Sequence, residues 1–319
     1  MLFYKKLKYY LFILILILIA EIIINNIDYS NIEELIYDFR SSVRVNLHNY
    51  DYIINPEYKI CNTGSEPILA LFHVITNIEN FQKRQAIRNL WSNDPRMRFV
   101  FMIGKSEYTF VNELVKLESK TYGDIVQENF LDTYENLTLK LIMSFKWVSK
   151  YCRNSVYSIK LDDDVVVNLN SLKNYLEKDK MLMAKQTVSC LLVNTPFVDR
   201  NENSKFYVQK SYYDKKLYPN YCSGPAYIYS TDLAHSFFKM SEYINYFKFE
   251  DVFFGMLMSS IKSINSTKIN LNNIENRYFV IKRILSRNEI KYLNTSFLFY
   301  YHFDIKNLNL INNKLKKTR

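Results

Sequence analysis

The chain predicts an α/β domain built on a mostly parallel central sheet, with a membrane-spanning helix ahead of it, and three observations carry that expectation. Apolar runs of strand length alternate with helix-compatible stretches from Ile68 to Leu161. Ahead of them, Tyr9 to Ile24 reads YYLFILILILIAEIII, sixteen residues with Glu21 as the one charge, preceded by Lys5, Lys6 and Lys8. The composition is that of a folded protein: 319 residues, 48% hydrophobic, 16% aromatic and 23% charged, which excludes an acidic disordered chain and a Pro/Gly-rich low-complexity one. With 5 Gly in all, no glycine-rich phosphate loop is available, so a nucleotide must be held another way.

The net charge of +10 suggests a polyanion partner until its distribution is considered. Seven of these charges sit at the ends, in Lys5, Lys6, Lys8, Lys314, Lys316, Lys317 and Arg319, which leaves +3 for the rest of the chain. Nucleic acid is therefore not the expected partner. The apolar run spans about 24 Å as a helix against a hydrocarbon core of roughly 30 Å, short but tolerable with snorkelling lysines. Lysines before it and Glu33 and Glu34 after it place the N-terminus in the cytosol. The expected organisation is a cytosolic tail (1–8), a signal anchor (9–24), a polar stem (25–64) and a lumenal catalytic domain (65–319). A cleaved signal peptide is the alternative, disfavoured by the lack of a small-x-small site after the apolar stretch.

A lumenal body agrees with sequons at Asn136, Asn265 and Asn294. It also agrees with Cys61, Cys152, Cys190 and Cys222, which form no CxxC or zinc pattern and so point to disulfides, with the connectivity open.

Ile68 to Ile75 is a continuous apolar run, read as a buried strand; the basic stretch Asn80 to Trp91 suits a helix; Arg98 to Ile103 is a second strand closing at Gly104. Residues 107–120 and 134–151 carry apolar residues at helical spacing, and Val156 to Leu161 is a third strand. Three carboxylates follow it immediately: Asp162, Asp163 and Asp164. Adjacent like charges are tolerated where solvent or a cation neutralises them, and hard divalent ions favour such oxygen donors. Asp162 and Asp164, two apart on extended backbone, face the same way and suit a metal carrying a diphosphate; the alternative is an acidic surface turn. Glu250 and Asp251 enter an apolar helix, either as dipole-complementing first-turn acids or as a base near a bound substrate. Tyr218 to Ser230, with Tyr221 and Gly224, is a turn leading into an aromatic strand that shapes a sugar site or simply holds a disulfide.

The order of these segments resembles glycosyltransferase family 31, the inverting β-1,3-galactosyltransferases and β-1,3-N-acetylglucosaminyltransferases of the Golgi. Arg84-Gln-Ala-Ile-Arg88-Asn-Leu-Trp91 is similar to the family's Arg-x-x-Ile-Arg-x-Thr-Trp, with Leu90 in place of Thr. Tyr122 to Gln127 is similar to its YGDII segment, and Asp132 to Lys140 to its D-x-Y-x-N-L-T-x-K. The acidic triplet resembles its metal motif, Tyr218 to Ser230 its YPxYCSG segment and Glu250 to Gly255 its EDV-x-x-G. The resemblance covers about residues 68 to 255, and beyond Gly255 little but His302 aligns.

The resemblance implies the glycosyltransferase A fold and a Mn²⁺- or Mg²⁺-dependent transfer of galactose or N-acetylglucosamine from a UDP-sugar to the 3-hydroxyl of a glycan acceptor at the Golgi membrane. It implies Asp251 as base and Asp162, Asp164 and His302 as metal ligands, His302 alternatively packing in its aromatic strand. Arg84, Arg88, Asp163 and Lys160 fall on the donor side, with structural ion pairs as the alternative for the arginines and for Lys160. Tyr221, Gly224 and Glu250 shape the acceptor site. Two other readings stand beside this one. The first is a catalytically silent, membrane-anchored glycan-binding relative, opposed by the intact Asp164 and Asp251. The second is a membrane-anchored hydrolase, for which the chain offers neither GxSxG nor HExxH.

Overall fold

The computed structural model describes residues 43–61, 67–90, 94–178, 185–264, 269–280 and 298–301. The signal anchor at 9–24, Trp91, His302 and the sequons at Asn265 and Asn294 lie outside them. Among the described residues no helix is long and apolar enough to cross a membrane.

The alternating strand and helix segments form as the patterns require. In chain order they are β1 (Tyr52–Ile54), α1 (Tyr58–Cys61), β2 (Ile68–Ile75), α2 (Phe81–Leu90), β3 (Met97–Lys105), α3 (Thr109–Tyr122), β4 (Ile125–Leu131), α4 (Leu137–Tyr151), β5 (Ser155–Asp162) and β6 (Val165–Val167). Then come α5 (Leu169–Lys178), β7 (Thr187–Val193), β8 (Tyr221–Ser230), α6 (Leu233–Ser241), α7 (Glu250–Ile264), β9 (Asn270–Asn273), β10 (Tyr278–Val280) and β11 (Phe299–Tyr301).

An eight-stranded sheet runs in the order β1-β4-β3-β2-β5-β8-β7-β9, with β4, β3, β2 and β5 mutually parallel at its centre. A small sheet, β10-β11-β6, sits beyond β5. All eight residues of β2 are buried, which is why its sequence is apolar on both faces rather than alternating. Its odd-numbered side chains Leu71 and Ile75 join a layer containing α4, α6 and α7, while Phe72 and Val74 join Ile87 of α2, Val115 of α3 and Leu172 of α5 on the other face. In the first layer the rings of Tyr227 and Phe254 stack at 4.3 Å, and Phe145 packs against Phe237 and Phe254.

The cysteines pair as Cys61–Cys152 and Cys190–Cys222. One compact unit begins at Asn46. Tyr52 and Ile54 add an antiparallel edge to β4, and Cys61 ties α1 to the end of α4. Buried His48 meets Glu128 at 2.7 Å, and Glu128 also takes Lys146 at 2.7 Å, so a segment that reads as linker is fastened by charge and by backbone pairing.

Candidate active site

In an open parallel sheet, ligands gather at the carboxyl ends of the strands, and the acids converge there. Ile75, ending β2, pairs with Asp162, ending β5. Asp162, Asp163 and Asp164 turn the chain into β6 and line a cavity of about 370 Å³ with Thr76, Asn77, Asn80, Lys83, Tyr134, Lys140 and Glu250. β8 runs antiparallel beside β5, bringing Gly224 alongside, and α7 delivers Glu250 and Asp251 from its first turn.

Lys160 binds these parts together. It is fully buried on β5, and its ammonium donates to Asp162 Oδ1 at 2.6 Å, to the Gly224 carbonyl at 2.5 Å and to Glu250 Oε1 at 3.2 Å. Burial alone would drive the proton off this amine, but the charges of Asp162 and Glu250 outweigh it and hold its pKa above the ordinary value. Lys160 therefore grips the acids rather than the donor, a correction to the role the family resemblance implies.

The carboxyls respond in the opposite sense. Burial pushes Asp162 up to about 7, helped by the charges of Glu250 and Asp164 and resisted by Lys160. Burial and the neighbouring Glu250 likewise raise Asp251 to about 7, although its Oδ1 accepts the Val252 N–H at 2.8 Å. Asp251 is not among the residues lining the cavity. Its Oδ2 faces Gly224, where an added Cβ would stand 3.5 Å away, and 3.0 Å from Glu250 Oε1. Glycine at this position leaves the room between β8 and the two acids. One helical turn further on, a Cβ on Gly255 would lie 2.6 Å from the Tyr221 Cβ, so β8 and α7 touch backbone to backbone and the acids are pinned against the sheet. Two tyrosines lie within electrostatic reach of the acids: the Tyr221 phenol is raised by burial and by the Asp251 charge, and the Tyr134 phenol, on the cavity wall, is raised by partial desolvation and by the charges of Glu250, Asp251 and Asp162.

Asp163 turns away from its neighbours, as the alternation of extended backbone demands. Its carboxylate accepts from Thr76 at 2.7 Å, Asn80 at 2.7 Å and Lys83 at 2.6 Å. It borders the cavity while spending both oxygens on the β2–α2 segment, so it anchors the triplet, whereas the resemblance puts it on the donor side.

Arg84 and Arg88 also differ from expectation. Arg84 is 1% exposed; its guanidinium forks onto Glu118 at 2.6 and 2.8 Å and donates to the carbonyls of Asn77 and Ile78. Arg88 pairs bidentately with Asp124 at 2.7 Å and reaches Glu118 at 2.8 Å. Arg84 spends its donors on Glu118 and the carbonyls before α2, and Arg88 commits its Nε–Nη2 fork to Asp124, so both are structural ties rather than phosphate forks. Asn136 likewise donates its amide to the Leu131 carbonyl at 2.8 Å, closing the turn before α4, so its side chain holds that turn rather than standing free as a glycan acceptor.

Lys140 is a site residue whose role sequence reading missed. Buried on α4, it donates to Asp132 at 2.6 Å and to the Thr76 carbonyl at 2.7 Å beneath the acids, while Asp132 also accepts the Gly104 N–H. The available signal was a lysine on the otherwise apolar face of a helix.

Among the described residues no group of three His, Cys, Asp or Glu is arranged to hold a metal ion. Asp162, its carboxylate about one-third exposed at the cavity, and Asp164 make a two-carboxylate, hard-oxygen donor set that fits Mg²⁺ or Mn²⁺ only if the ligand supplies further oxygens.

Comparison with known proteins shows the family. Residues 82–268 match the family model described as Galactosyltransferase. Beta-1,3-galactosyltransferase 1 of Mus musculus and of Homo sapiens are each 31% identical over 222 residues, covering 68% of this chain and 67% of the relative. Beta-1,3-galactosyltransferase 2 of Homo sapiens is 32% identical over 234 residues, 71% of this chain and 55% of that relative. Among solved structures, the apo WbbM bifunctional glycosyltransferase is 10% identical with a TM-score of 0.40, covering 81% of this chain and 52% of its own. A 4-diphosphocytidyl-2C-methyl-D-erythritol synthase from Anaerococcus prevotii is 10% identical with a TM-score of 0.36, covering 77% of this chain and 96% of its own. Both structural likenesses are too remote to bear on function. The family match spans the acidic triplet, the β8 turn and the first turn of α7 together, and on that ground the chain belongs to the galactosyltransferase family, a family of hexosyltransferases.

Proposed function

We propose that this protein is an inverting, metal-dependent β-1,3-galactosyltransferase of the glycosyltransferase A fold, moving galactose from UDP-galactose to the 3-hydroxyl of a glycan. The observation that carries the reading is the joining of Asp162 and Glu250 by Lys160 at the carboxyl end of the parallel strands, with Asp164 on the same cavity and Asp251 next to Glu250 in the first turn of α7. The names of the relatives favour galactose as the donor sugar.

Asp162 and Asp164 would hold the Mn²⁺ or Mg²⁺ ion, which supplies charge neutralisation for a departing diphosphate. Asp251 accepts the proton of the acceptor hydroxyl. A carboxyl titrating near neutrality is well matched to that task, since about half of it is ionised at pH 7 and the ionised form is basic enough to take a proton. Attack from the face opposite the diphosphate inverts the anomeric carbon and needs a single base. Glu250, held by Lys160, keeps a negative charge beside Asp251 and so raises its basicity. Tyr134, on the cavity wall, and Tyr221, within electrostatic reach of Asp251, are aromatic groups suited to packing on a sugar face.

We also propose a single-pass anchor at 9–24 with the catalytic unit in the Golgi lumen. Two disulfides and the lysines preceding the apolar run support it.

The test is UDP release by the full chain with Mn²⁺, offering UDP-galactose and UDP-N-acetylglucosamine over a panel of β-glycoside acceptors, with Asp251→Asn and Asp164→Ala alongside. Release from UDP-galactose that is lost in both variants and in chelator supports the reading. Failure of every donor, or full activity in Asp251→Asn, refutes it.

A further inference from the structure

We propose a second ligand site, at the opposite end of the sheet from the catalytic acids, that takes a saccharide bearing an oxyanion such as a sulfate or a carboxylate. A cavity of about 590 Å³ opens where β3 enters the sheet, between α1 and the junction of α3 with β4. Its size lies within the range of small-ligand sites, roughly 300 to 1,000 Å³. Met97 of β3 pairs with Ala70, five residues before Ile75 reaches the catalytic end, a separation of about 17 Å along the strands. The two sites therefore share a sheet and no lining residue.

The charge of this cavity is what calls for an anion. Lys59, Arg98 and Lys120 line it from three different elements, and none is ion-paired to a carboxylate among the described residues. The acids on its wall are already neutralised, Asp94 by Lys173 at 2.6 Å and Arg96 at 3.2 Å, and Asp124 by Arg88 at 2.7 Å. Arg98 is the one guanidinium of the three lining cations, and its fork matches an oxyanion. The surrounding wall fits a sugar ring. Pro95, Phe99 and the half-exposed Tyr122 offer flat apolar surface, and the Arg88 guanidinium lies 4.0 Å from the Tyr122 ring centroid and fixes its plane.

The experiment is calorimetric titration of the full chain in detergent with four probes: a sulfated disaccharide, a uronic-acid disaccharide, the uncharged parent disaccharide and inorganic sulfate. The expected result is binding of at least one anionic disaccharide, weakened by added salt, unaffected by saturating UDP, and reduced roughly tenfold or more by Arg98→Gln, in line with loss of a charge-assisted fork. Galactosyl transfer to a simple acceptor stays unchanged in that variant. Should Arg98→Gln fail to fold, the exposed pair Lys59→Gln with Lys120→Gln replaces it, with the same loss expected. The two anionic disaccharides distinguish sulfate from carboxylate as the source of the oxyanion. Four outcomes overturn the proposal: no binding of either anionic disaccharide, equal binding of the uncharged parent or of inorganic sulfate, displacement by UDP, or affinity untouched by the substitutions. Because UDP competition and the Arg98 variant are read apart from catalysis, failure here leaves the transferase reading standing, and the reverse holds too.

Discussion

Replacing Lys160 with methionine tests the central claim about the site, because this one ammonium joins β5, β8 and α7. The substitution keeps most of the buried volume and removes the charge. It leaves the Asp162 and Glu250 carboxylates and the Gly224 carbonyl without the donor each now has at 2.6, 3.2 and 2.5 Å. Breaking a buried ion pair by deleting one partner costs about 3–5 kcal/mol, and since the Asp162 carboxylate is one-third exposed the lower end applies, about 3 kcal/mol. In a domain of this size that corresponds to a fall in Tm of about 6–12 °C. Removing the ammonium also frees Asp162 from the β8 carbonyl and Glu250 that it shares, so the acids lose their fixed geometry and the Mn²⁺ concentration needed for half-maximal transfer rises. Adding Glu250→Gln should restore part of the loss, because the double variant carries one buried negative charge fewer, and the double-mutant cycle isolates that coupling. Thermal melts in chelator and Mn²⁺ titrations of activity are the assays. A Lys160→Met protein that melts within about 2 °C of the parent with unchanged Mn²⁺ dependence would refute the idea that Lys160 organises the acids.

Asp251→Asn should abolish transfer yet raise stability at neutral pH in chelator. A carboxyl raised from 3.8 to about 7 by folding binds more protons folded than unfolded, so its contribution declines as pH climbs through that window, and the amide escapes a penalty on the order of 1–3 kcal/mol. In the parent enzyme, kcat/KM should fall as pH drops below about 7 while Asp251 takes up its proton, a limb absent from any residual activity of the variant. Arg84→Ala should destabilise by about 3–5 kcal/mol in urea unfolding with the donor KM unchanged, since Arg84 ties α2 to Glu118; a selective rise in KM would reinstate it as a donor ligand. Gly255→Ala should cost about 1–3 kcal/mol and lower kcat, because its Cβ would press on Tyr221 and tilt the helix that carries Asp251; a neutral melt would show that the β8–α7 contact yields freely.

The parallel core is legible in the residue order, because a strand buried on both faces must be apolar throughout, and Ile68 to Ile75 is. So are the acids: three consecutive aspartates after a strand, and a Glu-Asp pair at a helix start, are costly enough in a folded chain that their placement shows in the residue order. The paired cysteines were legible as disulfides but not as partners, since connectivity depends on which loops the fold brings together. Tertiary structure alone decided which cations serve the site. Arg84, Arg88 and Lys160 read alike as phosphate ligands in one dimension, yet Glu118 and Asp124 are 34 and 36 residues from the arginines they neutralise, and Glu250 is 90 residues from Lys160. The same holds for the segment at 46–61, polar in composition and fixed by Glu128, Glu242 and Cys152 far along the chain. Local pattern reports what a residue can do, whereas the charges and carbonyls that meet it across the fold select which of those capacities it uses.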